Sequence, residues 1–341
     1  MTRKIRILGR IFREGIPDKE NVVGFSGTPQ FKSIDDRVRR KMSIQVAVTK
    51  KERDPSAVAE LERTGNLIPP MIDGMPTDVV EIGEVDAMSV PKNIDKKKYL
   101  PVTGGCSGVR LGGSACTTGL MAVDQTDYKR VMIVNDHCGS GVGEVELGTD
   151  YLQPSPYDGG EHTDRVGYLK RRRHIEHAKL NNRFWDTWRA VLFKWKYPLG
   201  PPMNPVDACV IGLHNQDDFK KSTFIQDIGG LRPPRKAILG APDGVIDFVA
   251  KRGRTTNLTK TLIPTNNDYY VKVRYPRGFA WVGPVGLLYG GGQVQGGDSS
   301  SPAWFRSDRK LAGQLFAASP THAMYCFPEV IERELNVKIL Y

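Results

Sequence analysis

Three residues far apart in the chain have the side chains that nucleophilic catalysis needs: His137, Asp207 and Ser299. Ser299 lies in Gly296-Gly297-Asp298-Ser299-Ser300-Ser301-Pro302, just after the run Gly290-Gly291-Gly292. A serine hydroxyl is a weak nucleophile until a base stands within hydrogen-bond reach and a third group orients that base. Small residues before the serine let backbone N–H groups converge where an oxyanion forms, so the amides of Gly297 and Ser299 are the expected oxyanion hole. By itself the segment also reads as a flexible loop, because Gly, Asp and Ser are loop residues. The upstream His and Asp separate the two readings.

His137 follows the apolar run Val131-Met132-Ile133-Val134 and precedes Cys138-Gly139-Ser140-Gly141, which places it at the rigid end of a strand. His162, His174 and His177 stand in polar surroundings, and His214 and His322 near strand ends. Asp207 opens the apolar run Ala208-Cys209-Val210-Ile211. An acid there is costly to bury unless it accepts hydrogen bonds, a need that holding an imidazole tautomer meets; a turn Asp after Asn204-Pro205 is the plainer alternative. Asp298 is assigned to holding the serine loop. The chain order His, Asp, Ser is that of one of the known triad arrangements.

The elements that must position these groups read as mostly strands. The chain has 341 residues, 39% of them hydrophobic, and a mean hydropathy of −0.38. From residue 100 onward, short strand-like runs are broken by Gly, Asn and Asp, as in Gly119–Val123, Arg130–Val134, Ala208–Ile211, Tyr269–Val273 and Gly313–Ala318. That pattern points to barrels or a sandwich. Before it, Ile44–Val48 and Thr77–Gly83 read as strands around a helical Ser56–Glu62, a small β-α-β unit, with a short helix over Asp35–Met42. The stretch 168–197 has no Gly or Pro and carries Phe184, Trp185, Trp188 and Trp195, so it reads as a helical insertion, with His174 and His177 on it.

Net charge is +11, partly local in Lys170-Arg171-Arg172-Arg173. Nucleic acid is therefore a possible but weakly supported partner, against the plainer reading of a wet helix face. No apolar run reaches the ~18 residues of a membrane span. The start lacks a signal-peptide pattern, so a cytoplasmic location and no membrane partner are expected. Five cysteines without a C-x-x-C pair argue against zinc, and neither a metal nor a cofactor is expected.

The Asp-His-Cys, Val-Asp-Ala and Gly-Asp-Ser-Ser-Ser-Pro segments are similar to those of the trypsin-like, chymotrypsin-fold serine proteases. More narrowly, the chain resembles their bacterial-type intracellular members. Asn135-Asp136-His137-Cys138, Lys251-Arg252-Gly253-Arg254-Thr255-Thr256-Asn257-Leu258-Thr259 and Ile72-Asp73-Gly74-Met75-Pro76-Thr77-Asp78-Val79-Val80-Glu81 carry that likeness. It implies a mainly β fold of two chymotrypsin-like β-barrels, with an α/β extension at residues 1–98. The first barrel would span 99–225, with the insertion, and supply His137 and Asp207. The second would span 226–341 and supply Ser299. The implied activity is serine endopeptidase hydrolysis through an acyl-enzyme, on a protein or peptide substrate or a dedicated partner protein. The alternative is a catalytically impaired scaffold that binds a protein or nucleic acid.

The resemblance also implies substrate contacts: Gln293 at the floor of the specificity pocket, and Leu315, Phe316, Ala317 and Ala318 pairing with substrate backbone. Gln293 in place of an acid implies no strong preference for basic side chains. Ser300 departs from the family, which has Gly after the nucleophile, and its Cβ is expected to crowd the loop. Asn257 replaces another Gly, a milder change because Asn tolerates left-handed geometry. In secreted members the cysteine after the His is bridged to one standing where Cys116 does; the expected compartment argues against that bond here. Their freed N-terminus pairs with the acid before the serine, a step with no evident counterpart in this chain.

Overall fold

A computed structural model describes residues 3–34, 37–87, 97–177, 201–239 and 246–341. The chain is mainly β and divides into two compact units. The first comprises Met1–Val85, Glu176–Met203 and Asp268–Pro284; the second comprises Asp86–Ile175, Asn204–Asn267 and Val285–Tyr341.

In the first unit the expected β-α-β unit is present. Strand Arg37–Val48 runs parallel to Met75–Glu81, pairing Ile44 with Thr77 and Val48 with Glu81. The helix Pro55–Arg63 lies between them in sequence. It starts where Asp54 accepts hydrogen bonds from the amides of Ser56 (2.8 Å) and Ala57 (3.3 Å), with Pro55 in the first turn where its missing N–H costs nothing. Val46 and Val48 join Ile7, Ile11, Phe25 and Trp281 in the core. Ile7 and Ile11 are one helical turn apart on the helix Arg3–Arg13, so one face is apolar and buried. The short helix expected over Asp35–Met42 is not formed: from Arg37 the chain is strand, paired through Val38 with Ser33 and Met42 with Phe31. The hairpin ladder satisfies this backbone and overrides its local preference.

Besides the two-stranded pair Phe224–Ile225 and Gly229–Gly230, the described residues of the second unit form two larger sheets. One is ordered Val337–Ile339, Leu120–Asp124, Arg130–Val134, Cys209–Leu213, Arg165–Arg172, Asp150–Leu152, Ser107–Arg110 and Cys116–Thr117. The other includes Val249–Gly253, Pro302–Phe305, Leu311–Ala318 and His322–Cys326, together with the 257–267 and 285–289 portions of two long strands. The strand pairs within both sheets of this unit are antiparallel.

The helical insertion needs correction at its start. Residues 168–172 belong to strand Arg165–Arg172, which pairs Gly167 with Leu213 and Arg172 with Cys209. A register shift between Leu169 and Arg171 breaks the period-two pattern, which is why the run did not read as a strand. His174 and His177 are described and are not helical. Phe184, Trp185, Trp188 and Trp195 lie outside the described residues. The basic run is paired internally: Lys170 meets Asp124 and Asp127 (both 2.8 Å), Arg171 meets Asp124 (3.1 Å), and Arg173 meets Glu334 (3.3 Å). Among the described residues no helix is long and apolar enough to cross a membrane.

Close packing between the two sheets of this unit generates a test. The Gln314 side-chain amide donates to the Ile133 carbonyl (2.9 Å) beside Gly119. A Cβ at Gly119 would stand 1.9 Å from the Ile133 oxygen and 2.4 Å from that amide nitrogen. Gly119→Ala is expected to destabilise by about 1–3 kcal/mol, the usual cost of overpacking, read as a lower urea midpoint at unchanged slope.

Candidate active site

The paired strands Arg130–Val134 and Cys209–Leu213 set Val134 opposite Cys209, so the segments at their ends lie abreast. After Val134 the chain turns through Asn135 into the short helix Asp136–Gly139. Asp207 is fully buried there and its carboxylate is well supplied with donors. Oδ1 accepts the amides of Asp136 (2.7 Å) and His137 (3.3 Å), and Oδ2 lies 2.7 Å from His137 Nδ1. The Asn135 side-chain amide also donates to the Asp207 carbonyl at 2.9 Å. Asp207 Oδ2 and His137 Nδ1 face each other, which turns the other ring nitrogen, Nε2, away from the carboxylate.

Ser299 sits just before strand Pro302–Phe305, on a loop organised by Asp298. The Asp298 carboxylate accepts the amides of Thr255 (2.9 Å), Thr256 (3.0 Å) and Gln295 (3.1 Å), the Thr256 hydroxyl (2.6 Å) and Lys251 Nζ (2.9 Å). Asp298 and Lys251 are both completely buried. Burial lowers the Lys251 pKa, an effect that the Asp298 charge opposes. Gly253 must be glycine: a Cβ would lie 2.4 Å from Asp298 Oδ1.

Gly297 has φ of +90°, and a Cβ there would meet Thr255 Oγ1 at 2.4 Å. Thr117 holds this turn from the other sheet. Its hydroxyl donates to the Gly297 carbonyl (2.7 Å) and its amide to the Ser299 carbonyl (2.9 Å). The Gly297 and Ser299 amides donate to no acceptor among the described residues. Ser299 Oγ is buried and makes no hydrogen bond among them. The contact with His137 that the chemistry needs is therefore not made in this state. Such bonds are commonly long in unliganded sites and tighten in the complex.

The Ser299 loop and the His137 segment are nevertheless tied on both sides. Ser300 Oγ accepts the Asn135 amide (2.8 Å) and donates to Asn135 Oδ1 (3.2 Å). Thr117, bonded to Ser299, follows Cys116, and Cys116 is joined to Cys138 by a disulfide. The bond argued against on compartment grounds is thus present. A ring nitrogen of His137 lies within 4.8 Å of both sulfurs. Ser300 adopts the left-handed φ of +74° that glycine would favour, and its hydroxyl is used. Asn257 is left-handed as well, at φ +50°.

Gln293 is exposed, and its Oε1 accepts the Thr261 hydroxyl at 2.5 Å. Leu315, Phe316, Ala317 and Ala318 are buried on strand Leu311–Ala318, with the Leu315 carbonyl accepting the Ser300 amide at 2.9 Å. Sequence reasoning missed Thr117, Asn135, Lys251 and Asp136. Lys251 lay in a quoted motif, but nothing local pairs it with an acid 47 residues away.

Asp136 is a second buried acid beside the base. Ser140 Oγ donates to its Oδ1 (2.6 Å), and its Oδ2 has no hydrogen-bond partner among the described residues. Burial, then the Asp207 charge, push its carboxyl up to about 7, against the Ser140 hydrogen bond and the Arg172 and His137 charges. An unfolded Asp titrates near 3.9, roughly three units lower. Between these values the folded chain holds a proton that the unfolded chain has lost. The contribution of Asp136 to stability is thus fully present below about pH 4 and is lost as pH rises towards 7. Asp136→Asn is expected to flatten that slope in urea titrations from pH 4.5 to 8. Lys251→Met strands a buried charge and is expected to cost about 3–5 kcal/mol. Lys251→Met with Asp298→Asn should cost less than Lys251→Met alone, measured the same way.

No protein-family model and no curated protein sequence matches the chain. Among solved structures it is similar to a glutamic acid-specific serine protease described as using a histidine triad in substrate binding. That similarity has 17% identity and a TM-score of 0.43, over 70% of this chain and 100% of that one. It is similar also to a chymotrypsin of Cellulomonas bogoriensis, with 14% identity and a TM-score of 0.42, over 70% of this chain and 98% of that one.

Proposed function

We propose that the chain is a serine endopeptidase with His137 as base, Asp207 as its orienting acid and Ser299 as nucleophile. The observation that carries this reading is the 2.7 Å contact of His137 Nδ1 with a buried Asp207 that also accepts two backbone amides. That contact leaves Nε2 as the proton acceptor. In the proposed reaction, Nε2 takes the Ser299 proton as Oγ attacks a peptide carbonyl. The developing oxyanion lies against the Gly297 and Ser299 amides, which donate to no acceptor among the described residues. The imidazolium, steadied by Asp207, gives its proton to the leaving amine, and an acyl-enzyme remains for water to hydrolyse.

Two further observations bear on control and setting. The acid before the nucleophile already has a cation, because Lys251 Nζ lies 2.9 Å from Asp298 Oδ2. The loop therefore has no need of a freed N-terminal amine, and we read the activity as independent of a cut near residue 100. The Cys116–Cys138 bond favours an oxidising compartment over the cytoplasmic location expected from the chain's start.

A fluorophosphonate probe is expected to label the intact chain at Ser299, and Ser299→Ala to abolish labelling. Peptide hydrolysis in Ser299→Ala or His137→Ala should fall by about a million-fold, the usual scale for loss of nucleophile or base. Intact-mass measurement should find the labelled protein uncut, and a peptide-library profile should not be dominated by cleavage after Arg or Lys. A folded wild type that takes no label would favour the binding scaffold instead.

A further inference from the structure

Strand Leu311–Ala318 is paired along one side by His322–Cys326, from Gln314 with Cys326 to Ala318 with Ala323. On its other side, strand Pro302–Phe305 reaches only from Leu311 to Gln314. The nucleophile loop continues the pairing by one step: the Leu315 amide donates to the Ser301 carbonyl (3.0 Å) and the Ser300 amide to the Leu315 carbonyl (2.9 Å). Beyond Leu315 the strand is an edge that starts at the nucleophile's neighbour. A register shift between Leu315 and Ala317 turns the Ala318 backbone groups to this same side.

That edge is occupied by the chain itself. The Asp86 amide donates to the Ala318 carbonyl at 3.1 Å, and the Ala318 amide donates to the Asp86 carbonyl at 3.2 Å. The bridge is antiparallel. Going from Asp86 to Ala87, the chain therefore heads from Ala318 towards Phe316 and Leu315, which is the direction of Ser300 and Ser299. A peptide added to this edge to offer a carbonyl to Ser299 would use the same two Ala318 groups, and one amide and one carbonyl cannot serve two strands at once.

We propose that Asp86 is a built-in competitor for substrate backbone, and that a peptide gains the Ala318 edge only when Asp86 leaves it. The inference rests on the hydrolase reading for what the edge is used for, but not for who occupies it. Main-chain hydrogen bonds carry the competition, so it does not depend on the side chains of the incoming peptide.

The test uses the full-length chain in a Ser299→Ala background and a fluorescent peptide with the sequence of residues 82–90. Asp86→Pro deletes the amide that Ala318 accepts. A second variant, with two glycines inserted after Val85, slackens the segment and leaves every side chain in place. Both are expected to bind the peptide roughly tenfold more tightly, the scale of two net backbone hydrogen bonds. Amide hydrogen exchange at Ala318 should quicken in both, whereas in the parent it should be slow. Unchanged peptide affinity in whichever variant keeps the parent's circular dichroism and melting point overturns the proposal. So does an unprotected Ala318 amide in the parent, with no variant needed. The active-site reading is scored separately, by fluorophosphonate labelling of the chain that retains Ser299. Absent labelling with tightened peptide binding would sink the hydrolase and keep the occupied edge. Normal labelling with no gain in binding would do the reverse.

Discussion

A carboxylate taken out of water must be met by donors, and the second unit is arranged around carboxylates that are, Asp207, Asp298 and Asp158 among them. Asp207 is met by two amides and an imidazole, Asp298 by three amides, a hydroxyl and an ammonium. Asp158 is met by Arg254, whose Nε lies at 2.8 Å, and by the hydroxyls of Ser107 and Ser155. The donors come from segments distant in sequence, so meeting the electrostatic demand also fixes where those segments stand. The proposed nucleophile and base inherit their places from this requirement. Ser299 follows one of these acids directly, and His137 leans on another.

The catalytic candidates were legible because their chemistry leaves local marks: an acid at the mouth of an apolar strand, a histidine at a strand end, a serine among glycines. Asp298 was legible as a loop holder on the same grounds. The groups that hold these residues were not. Thr117, Asn135 and Lys251 act through partners 180, 165 and 47 residues away, and no local pattern encodes such pairs. Strand Arg165–Arg172 was misread because its irregular register hides the alternation on which strand recognition rests, while a run free of Gly and Pro suits helix and strand alike.

Ser300 shows how a departure from a pattern can be absorbed. A left-handed backbone costs a serine about 1–2 kcal/mol relative to glycine. Its hydroxyl recovers some of that by bonding twice to Asn135, two residues before the base. The strain and the hydrogen bonds fall on one residue, which makes the position after Ser299 part of the tie between the two sheets.

The Cys116–Cys138 bond also closes a covalent ring around the hairpin formed by Leu120–Asp124 and Arg130–Val134. The turn of that hairpin is exposed, with Tyr128 at its tip 77% accessible. A nick there would leave both halves on one molecule, joined by sulfur as well as by the ladder between them. A shell of this kind tolerates injury at that exposed turn, and the histidine that follows the second strand would keep its seat.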